Sequence, residues 1–163
     1  MAGLATTVAI YDEMSTAESD WAAVEAAAKT SAVDLADAAL VERSASGEVI
    51  SVHRQAHHGW GKGAVAGAVV GLIFPPSLVG SAVVGGLGGA LVGRLSRCLG
   101  RSDVKDLGEV MDRSEIAIVV VASVDSVAKV DEVLAGATHK LSRGDMPADQ
   151  VLQAMDAAGL NPR

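Results

Sequence analysis

The apolar positions of this 163-residue chain change their spacing several times, and each change predicts an element. TTVAIY at 6–11 is short, apolar and rich in β-branched residues, which predicts a buried strand. Ser15 and Glu18 stand at capping-box spacing and predict a helix over 15–29, with Trp21, Val24, Ala27 and Ala28 on one face. Residues 33–42 and 48–54 predict two strands joined by the turn Ser44-Ala45-Ser46-Gly47. Ser102 or Asp103 caps a short helix over 103–112. EIAIVVVA at 115–122 predicts the clearest strand, apolar at both parities. Val127, Val130, Leu134 and Leu141 fall at helical spacing and predict a helix over 126–141. Pro147 opens a short final helix, with Val151, Leu152 and Met155 in a stripe before Gly159.

This order predicts an α+β protein with a ferredoxin-like β-α-β-β-α-β domain. A Gly-rich helical hairpin is inserted after the third strand, and extra helices follow at the C-terminus. The expected organisation is 1–58 and 102–143 as the two parts of the ferredoxin-like domain, 59–101 as the insert, and 144–163 as a short helix and tail. The helix at 103–112 is short for a crossover, so one long helix over 77–112 is expected. Such a sheet has helices on one face only. A strand apolar on both faces therefore calls for a second cover, from the insert, the last helices or another subunit.

The insert holds the most unusual pattern. Between Lys62 and Arg94 lie thirty-one residues without a charge. Small residues recur there at four-residue spacing: Gly59, Gly63, Gly67 and Gly71 in one row, Ser77, Ser81, Gly85, Gly89 and Gly93 in another. That spacing aligns them on one helical face, where backbones can approach closely. Pro75-Pro76 separates the rows and breaks the helix. The arms 63–74 and 77–93 would be about 18 and 26 Å long, against about 30 Å of hydrocarbon. His57, His58 and Lys62 precede the insert, and Arg94, Arg97 and Arg101 follow it. Basic ends on both sides predict a hairpin that enters and leaves on the cytoplasmic side. Trp60, Lys62, Arg94 and Arg97 would then lie at the lipid boundary.

Composition narrows the classes. Only Tyr11, Trp21, Trp60 and Phe74 are aromatic, although half the chain is hydrophobic. The net charge of −7 is unevenly spread. Residues 49–102 hold five basic residues and no acid, whereas the remainder holds eight basic and twenty acidic ones, a net of −12. A basic collar around an apolar segment suits anionic lipid headgroups. Nucleic acid is a poor fit, because stacking platforms and a broad basic face are missing. Cys98 stands alone, so no intramolecular disulfide forms and a reducing location is the default. MAGLATTVAIYDE has no basic n-region, so a signal peptide is not expected.

TTVAIYDE, the insert GWGKGAVAGAVVGLIFPPSLVGSAVVGGLGGALVGRL and the strand EIAIVVVAS together resemble an uncharacterised bacterial family of predicted membrane proteins of unknown function. Its ferredoxin-like halves flank a Gly-rich hydrophobic hairpin. The resemblance covers about residues 5–142 and implies an architecture and a membrane label. It implies no catalytic residue.

Chemical candidates are sparse. His53, His57 and His58 could supply metal ligands, but no carboxylate or thiolate lies close in sequence, and a polar collar is the plainer reading. Gly59-Trp60-Gly61-Lys62-Gly63 and Gly86-Leu87-Gly88 lack the order of phosphate-binding loops. Asp12 and Glu13 could form an acidic site with Asp34 or Asp37. No catalytic residue, cofactor or metal is expected. The predicted function is homo-oligomerisation through Gly63, Gly67, Gly71, Ser81, Gly85, Gly89 and Gly93, at the cytoplasmic side of a membrane or in the cytoplasm. The C-terminal helix is a second surface for a protein partner. The competing reading is a soluble oligomeric module that binds a small ligand or serves a stress response, with the hairpin buried in its centre.

Overall fold

The computed structural model describes residues 3–43, 49–56 and 116–146, together with single helical positions at 102, 105, 106, 109 and 149. Backbone alone is described at 43, 49–56 and 144–146. The elements are β1 (Leu4–Tyr11), α1 (Met14–Lys29), β2 (Leu35–Arg43), β3 (Val49–Ala56), β4 (Ile116–Ser123), α2 (Val127–Val133) and β5 (His139–Met146). A 3-10 turn, Val124–Ser126, leads into α2.

The five strands form one sheet in the order β3-β2-β4-β1-β5. Every adjacent pair is antiparallel. β1 and β2 both run against β4, so they are parallel to each other with β4 between them. β4 and β5 are likewise parallel, with β1 between. Each parallel pair is joined by a helix, so two βαβ units interleave in an α+β fold.

This arrangement shifts the expected frame by one element. The second crossover helix is α2, not the segment at 103–112, and β3 lies outside β2 at the sheet edge. Residues 102, 105, 106 and 109 are helical, but the proposed continuous helix from 77 lies outside the described residues. The expected helix over 126–141 stops at Val133, and β5 takes the residues from His139 onward. Leu141 sits seven residues after Leu134 and imitates a helical stripe. In the sheet it stands opposite Val8 instead. Gly136 interrupts the helix, and the Thr138 N–H turns away to the Ile10 carbonyl at 2.9 Å.

The capping box is also absent. The residue preceding α1 is Glu13, without a side-chain cap bond, and Ala17 N–H closes the first turn onto the Glu13 carbonyl. Ser15 lies inside that turn. The buried face of α1 is Ala17, Trp21, Val24, Ala27 and Ala28, as the spacing predicts.

α1 and α2 pack on one face of the sheet, over Ala9, Tyr11, Ala38, Leu40, Ile116, Ile118, Val120 and Ala122. The opposite parity is equally buried: Val8, Ile10, Ala39, Val41, Ala117, Val119 and Val121 are each at most 5% exposed. A single chain thus buries both faces of β1 and β4, whose eight residues are all buried. Arg143 of β5 stands opposite Thr6 on the second face. Its guanidinium lies 3.6 Å from the Asp106 carboxylate, which brings a helical residue of the 102–109 region to that side.

Candidate functional site

Polar groups interrupt the second face along one register row. Asp37 on β2 faces Val121 on β4, Val121 faces Thr6 on β1, and Thr6 faces Arg143 on β5. Three strand spacings carry the row about 14 Å across the sheet. The next row, Ala39, Val119, Val8 and Leu141, is wholly apolar.

Local irregularities aim these residues. The pairing of β2 with β4 shifts between Leu35 and Asp37, so Leu35 joins the helix-side core while Asp37 points to the other face. A matching shift between Leu4 and Thr6 lets Gly144 and Asp145 oppose Ala5 in the pairing of β1 with β5. Two bulges therefore flank the row at the same level, a device that re-aims side chains beside functional sites.

The three groups differ in how they are satisfied. Asp37 is fully buried, and its Oδ1 accepts the Ala38 N–H at 2.9 Å. Thr6 is fully buried, and its Oγ1 has no hydrogen-bond partner among the described residues. Arg143 is 39% exposed, donates to the Ser142 carbonyl at 3.0 Å and pairs with Asp106, which is 45% exposed. The row offers a carboxylate, a hydroxyl and a guanidinium, a set suited to a polar, hydrated contact.

A second polar cluster ties the helix layer together. Asp20 of α1 accepts the Tyr11 hydroxyl at 2.9 Å and the Gly136 N–H at 2.8 Å, both on Oδ2. Burial pushes the Tyr11 phenol well above its usual range, and the hydrogen bond and negative charge of Asp20 push it the same way. At the other end of the sheet, Ser126 Oγ accepts the Asp34 N–H at 2.9 Å and receives the Ser123 hydroxyl at 3.1 Å. These are well-formed bonds linking β1, α1, β4 and the two crossovers.

The acidic site expected from Asp12, Glu13, Asp34 and Asp37 does not assemble. Asp37 is level with Thr6, six residues before Asp12 along β1, so about 20 Å of strand separates their levels. Asp12 instead accepts the Thr138 hydroxyl at 2.9 Å. Of the three histidines, His53 lies on β3 opposite Leu40, while His57 and His58 lie outside the described residues. Among the described residues no group of three or more His, Cys, Asp or Glu side chains could hold a metal ion. Gly63, Gly67, Gly71, Ser81, Gly85, Gly89, Gly93, Trp60, Lys62, Arg94, Arg97 and Cys98 also lie outside them, as does all of the C-terminal helix except position 149. Among the described residues no helix is long and apolar enough to cross a membrane.

Sequence reasoning missed the row because its members are scattered from Thr6 to Arg143 and only the strand order aligns them. Arg143 falls at the expected boundary of the 102–143 part, where the pattern predicts no strand. The one local signal is polar Thr6 and Asp37 inside otherwise apolar strands.

Sheet, crossovers and row define an α+β protein built on an antiparallel sheet buried on both sides. Residues 61–157 match the model of the family described as Protein of unknown function (DUF1269), and the chain belongs to that family. Neither the curated proteins nor the solved structures contain a match.

Proposed function

We propose that this chain is a non-enzymatic self-assembling protein, in which a Gly-zipper hairpin at 59–101 drives homo-oligomerisation at the cytoplasmic face of a membrane. The observation that carries this reading is the pair of small-residue rows within thirty-one uncharged residues, bounded by basic residues at both ends. Four-residue spacing of glycine favours close helix contact, and the basic flanks favour anionic headgroups.

The sheet supports the reading by offering poor alternatives for assembly. Its outer strands are β3 and β5. β5 carries Lys140 and Arg143 and a bulge, features that discourage edge-to-edge pairing. β3 contains His53 and Arg54 and has its own register shift against β2. On this reading β1, β2, β4 and β5 are the four strands of a ferredoxin-like domain, β3 is an added edge strand, and the hairpin follows it as the assembly element.

Size-exclusion chromatography with light scattering, with and without detergent, tests assembly and setting together. An oligomer in detergent-free buffer that dissociates in the double variant Gly67→Leu/Gly89→Leu is the expected result. An unchanged oligomer size in that variant refutes the zipper. Complete recovery in the soluble fraction after detergent-free lysis refutes the membrane setting.

A further inference from the structure

We propose that the sheet stands end-on to the membrane, with the end that carries Ala32 and Val124 set against the lipid headgroups and the start of α1 held away from them. This deepens the membrane reading above and rests on it.

The strand pairings fix the end from which the insert departs. β3 runs toward the level at which β2 begins, and its last residue, Ala56, stands opposite Asp37. Asp37 faces Val121, Val121 faces Thr6, and Thr6 faces Arg143. Past the insert, Asp106 reaches the same level, with its carboxylate 3.6 Å from the Arg143 guanidinium. The chain thus quits the sheet at one edge strand and returns beside the other, at one level that spans about 19 Å from edge to edge. A single attachment would let the domain swing over a surface. Two attachments at opposite edges select the end that faces it.

That end is a bonded platform. Ser123 N–H donates to the Asp34 carbonyl and Val124 N–H to the Gly3 carbonyl, each at 2.9 Å. Asp34 N–H reaches Ser126 Oγ at 2.9 Å. These bonds tie residue 3 to the turns at 30–34 and 123–126. Val124, at 40%, is the one exposed large hydrophobic side chain among the described residues. Ala32 is exposed in the turn that joins α1 to β2.

Charge separates the two ends of the sheet. Lys29, Asp34 and Asp125 are exposed on the platform, a net of one negative charge. Asp12, Glu13, Glu18 and Asp20 gather around the start of α1. Asp12 lies eight residues of extended chain beyond Leu4, about 25 Å away. Asp20, the nearest of the four along α1, is nine residues short of Lys29, about 13 Å. All four therefore stand farther from the platform than the screening length of about 8 Å at physiological salt. A reversed domain would press them onto anionic headgroups.

Fluorescence quenching at single cysteines tests the orientation. In the full-length chain with Cys98→Ala, an NBD label is placed at Ala32→Cys or Val124→Cys on the platform, and at Ser15→Cys or Ser19→Cys near the other end. All four positions are exposed. The probe is a phosphatidylserine vesicle with nitroxide on a fraction of its headgroups, and sedimentation reports binding. On bound protein, 32 and 124 should be quenched at least about threefold more than 15 and 19, because headgroup nitroxides act over a shorter range than the length of the sheet. Binding with equal or stronger quenching at 15 and 19 overturns the orientation and leaves the membrane setting intact. Failure to sediment with the vesicles removes the membrane setting, and the orientation with it.

Discussion

Thr6 and Thr7 are adjacent, fully buried hydroxyls that point to opposite sides of one strand. Thr7 Oγ1 lies 2.7 Å from Ser142 Oγ in the helix-side half, whereas Thr6 Oγ1 has no partner among the described residues. The same residue type, one position apart, is satisfied on one face and stranded on the other. The pair shows that equal burial does not mean equal closure, because solvent exclusion and hydrogen-bond satisfaction are separate achievements.

The contrast can be broken most forcefully at Gly136. A Cβ there would meet Thr16 Cγ2 at 2.6 Å and the Asp20 carboxylate oxygens at 3.2 and 3.3 Å. Gly136→Ala should cost about 1–3 kcal/mol in urea unfolding, because the loop must move off α1 and loosen the Gly136–Asp20 bond. A wild-type midpoint would show that the helix layer is only loosely stitched at this corner.

Tyr11→Phe comes next, at about 1–2 kcal/mol at neutral pH, since a bond to a carboxylate is lost while Asp20 keeps Gly136. It also changes the alkaline response. The folded chain holds the Tyr11 proton above the ordinary value of 10.0, whereas the unfolded chain releases it there. The stability tied to this proton is complete below about pH 10 and falls as pH rises beyond it. Wild type should therefore lose stability above that pH more steeply than Tyr11→Phe. Parallel pH profiles would contradict the burial of the phenol.

The smallest effect sharpens the comparison most. Thr7→Val should destabilise by about 1 kcal/mol, because it removes the partner of Ser142. Thr6→Val should be neutral or slightly stabilising, because it deletes a buried hydroxyl with no partner among the described residues. Thermal melts of the two variants decide the matter, and equal losses would erase the distinction between the faces.

Local pattern made β1, α1 and β4 legible, and the doubly apolar β4 already called for cover on both sides. β5 was hidden because Leu141 continues the helical spacing of Val127, Val130 and Leu134, and the break at Gly136 carried less weight than the stripe. The capping box failed because Ser15 and Glu18 have the right spacing, but the helix begins at Met14 behind Glu13, so Ser15 already lies inside the first turn. The polar row was out of reach for a different reason. Asp37, Thr6 and Arg143 meet only through pairings between strands distant in sequence, and no periodicity within a segment encodes such neighbours.

The full burial of β1 and β4 has a consequence for how this protein can vary. A strand at the surface of a sheet leaves alternate positions free to drift between polar residues. Here all sixteen positions of the two strands are buried, so neither parity offers a place for a neutral charge. Saturation mutagenesis should find two uninterrupted blocks of intolerance, 4–11 and 116–123, while substitutions at outward positions of α1 such as Ser19 and Ala22 pass unnoticed.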